Sequence, residues 1–233
     1  MVIPTIFKRN KYIPTSLFAG VMGLYDEEFH DKGNRMRMID LFSGLGGASE
    51  AMLQSPDWEV IRVEKNKELL EGLVPATLFK DVKNLTPDNF WHWPGVDLIW
   101  ASPPCTEFSN GFNSPRANAS RAGIEYSPDL SLLETTIEFI TKMRPTFWCI
   151  ENVAGAIKYF EPYLGSPTQK IGSFFLWHNM PEIIVPRSFK HSKVEGDLWS
   201  DDPMRKNKKG KVPYTLSNAV RIACESPTLD RWQ

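Results

Sequence analysis

Residues 36–54 read MRMIDLFSGLGGASEAMLQ, and this stretch decides the fold. A short apolar run, RMRMIDLF, ends in the glycine turn SGLGG, and ASEAMLQS continues with helical spacing: a strand, a tight turn, a helix. The same rhythm runs onward. WEVIRVE at 58–64 predicts a second strand, NKELLEGLV a short helix, and LFKDV at 78–82 and VDLIWAS at 96–102 two further strands. SLLETTIEFITKM at 131–143 has the periodicity of an amphipathic helix ended by Arg144-Pro145, and TFWCIENV at 146–153 predicts a fifth strand. Strands alternating with helices imply an α/β fold, a mostly parallel sheet with helices on both faces. Beyond Gly155 the pattern weakens: GSFFLW reads as a strand, RKNKKGK as a loop and LSNAVRIACES as a closing helix.

The chain's 233 residues suit one domain, or one domain plus a small appendage. Pro4, Pro14, Gly20 and Gly23 interrupt any long helix near the start, so residues 1–35 read as an extension wrapped on the main domain. The expected division is 1–35 extension, 36–160 catalytic and cofactor-binding domain, 161–213 linking region and 214–233 a helix returning to the catalytic domain. No apolar run nears the ~18–20 residues of a membrane span, and the N-terminus lacks the pattern of a secretory signal. Three separated cysteines argue against a disulfide framework, and no C-x-x-C pair suggests a metal. The expectation is a cytoplasmic monomer with no metal and no membrane partner. Net charge of −1 announces no nucleic-acid partner, but 205–211, RKNKKGK, places five cations in seven positions.

In such a sheet, ligands sit at the carboxyl ends of the strands. Glycines at the first strand-to-helix turn let backbone approach a ligand, and the following helix offers free N–H groups. Glu64, ending the second strand, is placed to accept both hydroxyls of a ribose, and Asp81, ending the third, the amino group of an adenine. Each acid alone would be an ordinary cap or surface charge; together with the turn they point to an adenosine cofactor. The fourth strand runs into Ala101-Ser102-Pro103-Pro104-Cys105-Thr106-Glu107-Phe108-Ser109, and the fifth ends Ile150-Glu151-Asn152-Val153.

At these residues the chain resembles the cytosine carbon-5 DNA methyltransferases: DLFSGLGG looks like their cofactor loop, PPCTEFS their nucleophile loop, IENV their strand-end glutamate and LSNAV at 216–220 their C-terminal asparagine-x-valine segment. The resemblance implies a Rossmann-like methyltransferase fold, S-adenosyl-L-methionine as cofactor and double-stranded DNA as partner. It assigns Cys105 as nucleophile and Glu151 as the acid at cytosine nitrogen 3. Phe42, Ser43, Gly44, Leu45, Gly46, Gly47, Glu64, Asp81, Val82, Pro104, Leu132, Asn218 and Val220 would hold the cofactor. Residues 106–123 match the family's mobile loop, with Ser109, Arg116 and Arg121 near phosphate, and Arg187, Arg205, Lys206, Lys208 and Lys209 are further candidates for DNA contact.

The thiol chemistry is coherent without the family name. Carbon 5 of cytosine is a poor nucleophile until a thiolate adds at carbon 6, and a cysteine both adds readily and leaves again. Cys149 and Cys224 read instead as buried small hydrophobes. Two features depart from the family. Its Gln-x-Arg-x-Arg segment has only Gln169-Lys170-Ile171-Gly172-Ser173 as counterpart, with Lys170 or Arg187 as possible substitutes. Only about 60 residues separate ENV from SNAV, so the target-recognition region is minimal and a short sequence context is expected. Methylation of RNA, and a silent cofactor-binding homologue, remain alternative readings; an amino-group methyltransferase would have no use for the thiol.

Overall fold

The computed structural model describes residues 35–69, 77–109, 111, 114–191 and 204–226. Its strands are β1 (Met36–Leu41), β2 (Trp58–Glu64), β3 (Thr77–Phe79), β4 (Leu98–Ala101), β5 (Phe147–Asn152), β6 (Gln169–Ile171) and β7 (Phe174–His178). They form one sheet in the order β3-β2-β1-β4-β5-β7-β6. β1 to β5 pair in parallel; β7 runs against both β5 and β6, so β6 shares the sense of the first five. The strand order reverses between β1 and β4, and a crevice opens there at the carboxyl edge.

Helices cover both faces because the strands are apolar on both. Ile39, Leu41, Val63, Ile99 and Ile150 face one core, against Leu133, Ile137 and Ile140 of the helix Ser131–Met143 and Phe160 of the helix Ile157–Leu164. Met38, Val60, Leu98, Trp100 and Cys149 face the other, against Ala51 and Met52 of the turn Glu50–Leu53 and Leu216, Ala219, Val220 and Ala223 of the helix Tyr214–Glu225. We number the helices α1 (Glu50–Leu53), α2 (Pro115–Arg121), α3 (Ser131–Met143), α4 (Ile157–Leu164), α5 (Arg205–Gly210) and α6 (Tyr214–Glu225). α3 stops where Arg144 takes a left-handed conformation (φ 51°) ahead of Pro145. On α6, Ser217 Oγ donates to the carbonyl of Ala48 (2.7 Å) and accepts from the Ala51 amide (3.0 Å), fastening the last helix to the start of α1.

Several elements differ from the sequence expectation. The helix after the glycine turn is a single turn, Glu50–Leu53, and Ser49 in its capping position makes no capping bond because its hydroxyl is drawn to Asp40. A helix this short supplies little macrodipole. The expected helix 66–74 appears as the 3-10 turn Lys67–Leu69; residues 70–76 lie outside the described residues. β3 is only Thr77–Phe79, and Asp81 lies beyond it, capping the turn Val82–Asn84 through the Lys83 amide (3.0 Å) rather than ending a strand. Past Gly155, α4 forms despite Pro162 because Phe160 and Leu164 bury against the sheet. The expected boundary at residue 160 falls inside α4, and β6 and β7, from the linking region, complete the same sheet. RKNKKGK is not a loop: Arg205–Gly210 is helical, with Lys208 and Lys209 in its last turn, where cations favour the dipole. Residues 1–34, read as an extension, lie outside the described residues.

Candidate active site

A cavity of about 420 Å³ opens at the carboxyl edge, between the turn after β1 and the loop after β4. Alternation along the strands places Asp40, Glu64 and Glu151 on one face of the sheet, and all three line this cavity. Of the residues expected at a cofactor, Phe42, Ser43, Gly44, Leu45, Gly47, Glu64, Asp81, Val82, Pro104 and Leu132 line it, together with Cys105 and Glu151.

The glycine turn is held by backbone geometry. Phe42 (φ 59°) and Gly46 (φ 71°) adopt left-handed conformations, the former at a cost of roughly 1–2 kcal/mol for a non-glycine residue. The Gly46 amide donates to the Ser43 carbonyl (2.7 Å) and the Ser43 amide to Val63 (3.1 Å). Gly44 donates to Glu64 Oε2 (2.9 Å), while Glu64 Oε1 accepts from the amides of Lys65 and Asn66, both at 2.9 Å. Three of roughly four acceptor sites on Glu64 are therefore filled, leaving one for a ligand hydroxyl rather than the two expected. A Cβ on Gly47 would meet the Val212 carbonyl at 2.3 Å, so only glycine admits the chain that returns toward α6. Beneath the turn, Arg62 is buried and donates to the Gly46 carbonyl and to Ser49 Oγ, both at 2.8 Å; Ser49 donates to Asp40 (2.6 Å). Burial pushes the Asp40 carboxyl up to about 6, against the opposing pull of Ser49 and Arg62.

The opposite wall carries the thiol. Pro103 and Pro104 stiffen the exit from β4, and Cys105 opens the 3-10 turn Cys105–Glu107, exposed on the cavity. Glu151, near the end of β5, is buried at 6% exposure. Its neighbour Asn152 fixes the two strand exits together: Nδ2 donates to the Pro103 carbonyl (3.0 Å) and Oδ1 accepts from Val153 (2.9 Å). Cys149 and Cys224 are buried in the core, and burial pushes the Cys149 thiol well above its ordinary value.

Gly46, Asn218 and Val220 do not line the cavity. The Gly46 carbonyl is turned to Arg62; Asn218 Oδ1 accepts from Arg221 (3.2 and 3.1 Å); Val220 is fully buried against α1. Because α6 already begins at Tyr214, Asn218 sits within the helix rather than at its mouth. Asn207, Gly210, Lys211 and Val212 occupy that side instead, with Lys211 paired to Glu50 at 2.9 Å. The sequence predicts this basic run as a loop in contact with DNA; the one hint of its packing is Gly47, whose missing side chain makes room for Val212.

Residues 106–123, expected as a mobile loop, contain α2, capped by Ser114, whose hydroxyl also donates to the Ser109 carbonyl (2.7 Å). Residues 110, 112 and 113 lie outside the described residues. Arg116 donates to the carbonyls of Phe108 (3.5 Å) and Gly155 (3.4 Å), and a Cβ on Gly155 would collide with Phe108. Arg116, Lys158 and Glu161 line one depression of about 300 Å³ beside the nucleophile loop. Arg121 is exposed and bonds Asn118 within α2. Lys170, on edge strand β6, lies over the Phe175 ring, and Gln169 bonds Ile183 and His178; neither Lys170 nor the exposed Arg187 lines the cavity. Lys208 is exposed and Lys209 half-buried on α5; the side chains of Arg205 and Lys206 lie outside what the structure describes.

The fold and cavity define a class: a doubly wound sheet whose strand-end cavity is lined by a glycine turn, a thiol and a carboxyl. The family model for C-5 cytosine-specific DNA methylases matches residues 36–162, and the chain belongs to that family, with its Rossmann-like methyltransferase fold. It is 29% identical over 127 residues to a probable DNA (cytosine-5)-methyltransferase of Frog virus 3 (isolate Goorha), covering 50% of this chain and 53% of that protein. It is 27% identical over 147 residues to the DNA (cytosine-5)-methyltransferase PliMCI of Paracentrotus lividus, covering 54% of this chain and 9% of that protein. Among solved structures, the Entamoeba histolytica methyltransferase EhMeth aligns at 19% identity and a TM-score of 0.36, over 52% of this chain and 39% of that one. The matched segment thus spans about half of the viral relative and a small part of the other. No metal-ligating cluster and no helix long and apolar enough to cross a membrane occur among the described residues.

Proposed function

We propose that this chain methylates carbon 5 of cytosine in DNA, with S-adenosyl-L-methionine as methyl donor and Cys105 as covalent nucleophile. The observation that carries the reading is the arrival of Cys105 and Glu151, from neighbouring strands β4 and β5, in one cavity with the glycine turn and Glu64.

The residues present fit the cofactor. Ser43 Oγ is buried beside the cavity with no hydrogen-bond partner, an arrangement that calls for a ligand. The free acceptor site on Glu64 suits a ribose hydroxyl, and Asp81 beside Val82 suits the base. When bound, the cofactor supplies an electrophilic methyl group.

Cys105, its thiol proton passed to water, bonds through sulfur to carbon 6 of a cytosine turned out of the helix, and the π pair between carbons 5 and 6 moves to carbon 5, from which it bonds the methyl group. The Glu151 carboxyl stands at nitrogen 3, where a proton shared between the two drains charge from the ring during that addition. After methylation, loss of the carbon-5 proton to water restores the double bond and expels the Cys105 sulfur. Asn152 keeps the two groups in register by holding Pro103. Arg116 and Lys158 offer two cations to a backbone phosphate, and Ser109, Arg121, Arg187 and α5 extend the same role. With so short a stretch between Val153 and Asn218, recognition is limited to a brief, dinucleotide-length context.

Parallel transfer assays on duplex DNA and RNA oligonucleotides covering all dinucleotide contexts test this reading. Methyl incorporation at cytosine carbon 5 of DNA is expected; incorporation confined to RNA, or none on either, would overturn it.

A further inference from the structure

A buried arginine inside a strand is an unusual choice. β2 reads WEVIRVE, and the parallel sheet buries its fifth residue, Arg62, to 3% exposure. A large apolar residue there would bury without a desolvation cost, and replacing buried charged groups by well-packed apolar ones is often neutral or stabilising. The surroundings show what the guanidinium does instead. Arg62 is the registered partner of Asp40 across β1 and β2, so both side chains emerge on the same face. Ser49 Oγ bridges them, accepting from Arg62 Nε (2.8 Å) and donating to Asp40 (2.6 Å). A second donor of the same guanidinium reaches the Gly46 carbonyl (2.8 Å). A Cβ on Gly46 would lie 2.5 Å from the Arg62 carbon Cζ, so the turn rests directly on the guanidinium plane.

The connections form a single chain from the sheet to the cavity. Arg62 holds the Gly46 carbonyl; Gly46 donates to Ser43; Gly44, between them, donates to Glu64. Ser43, Gly44 and Glu64 line the cavity, whereas Arg62 and Gly46 do not. From above, Val212 presses on Gly47 and Lys211 pairs with Glu50. The turn is therefore clamped between a buried cation and a returning strand of chain, and its helix is too short to do this itself.

We propose that Arg62 is a positioning residue for the methyl donor: by holding Gly46 and Ser49 from beneath, it sets the turn that presents Ser43, Gly44 and Glu64 to the cofactor. The inference rests on the cofactor reading above. Arg62→Lys keeps a cation but cannot span two acceptors as a planar fork does. For this variant, S-adenosylmethionine affinity is expected to fall about tenfold or more, the loss of one or two charged hydrogen bonds. At saturating cofactor, kcat and the KM for DNA are expected to stay within about twofold of wild type.

The test is calorimetric titration of S-adenosylmethionine into wild type, Arg62→Lys and Arg62→Gln, with steady-state kinetics on DNA for each. Arg62→Gln leaves the cavity lining untouched and carries no buried cation, so it keeps the test open if Arg62→Lys does not fold. Weakened cofactor binding in folded Arg62→Lys and in folded Arg62→Gln, with kcat retained at saturation, is the expected result. Wild-type affinity in either folded variant, or an equal fall in kcat at saturating cofactor, would overturn the positioning role while leaving the function standing. Absence of S-adenosylmethionine binding by wild type would overturn the cofactor reading and the inference with it.

Discussion

The two walls of the cavity hold their groups by different means. On the β1–β2 side, the turn from Phe42 to Gly47 is fixed by backbone bonds of 2.7–3.1 Å, by Glu64 and by Arg62 beneath it. On the β4–β5 side, Cys105 depends on two prolines and one asparagine amide, and beyond it Arg116 reaches its carbonyls at only 3.4 and 3.5 Å. Short bonds within a buried network resist rearrangement, while long, half-exposed ones yield at small cost. The first wall suits a ligand of constant shape, and the second a substrate that must be drawn out of a duplex.

Breaking the second wall is expected to have the largest effect. Cys105→Ala removes the thiol that bonds to carbon 6, and transfer should fall by at least about 10³-fold in a single-turnover assay, with cofactor affinity intact. Retained transfer would erase the distinction between the walls. Glu151→Gln leaves a donor of wrong acidity at nitrogen 3, and a loss of about 10²–10⁴-fold in kcat is expected. Asn152→Ala frees the Pro103 carbonyl and lets the two strand exits drift; about 10²-fold in kcat, with little change in cofactor affinity, would match a misplacement near 1 Å.

The first wall is sharpened by pH. With Asp40 raised by burial to about 6, the folded chain binds its proton more tightly than the unfolded chain does. Stability from this group is thus present at low pH and lost as pH rises from about 4 through about 6, by roughly 2–3 kcal/mol in all. Urea melts of Asp40→Asn should gain on wild type by that amount across the window; a constant difference would contradict the account. The smallest effect belongs to the DNA-facing rim. Lys158→Ala should weaken DNA binding at every sequence alike and reduce the slope of log affinity against log salt by about one.

The same contrast explains what the sequence disclosed. Cys105, Glu151, Glu64 and the glycine turn were legible because strand ends in a parallel sheet converge on one crevice, and because glycine and proline leave few alternatives for backbone shape. The sheet from β1 to β5 was legible for the same reason. What escaped depends on tertiary contact. Asn207 and Lys211 reach the cavity only because Gly47 lets Val212 pack against the turn, and Asn218 is turned away because α6 starts a turn early, at Tyr214. Arg62 carries no signal of its own within WEVIRVE; its meaning depends on the β1–β2 register that sets it beside Asp40. α4 was hidden by Pro162, and β6 by its length of three residues.

The central claim is that Cys105 adds covalently to cytosine. It is tested most directly by incubating the protein with S-adenosylmethionine and duplex DNA carrying 5-fluorocytosine in all dinucleotide contexts. Fluorine at carbon 5 cannot leave as a proton does, so the reaction stalls with the sulfur still bound. A denaturant-resistant protein–DNA adduct from wild type, absent in Cys105→Ala, is the predicted result. No adduct from a wild-type protein that binds the cofactor would contradict the account.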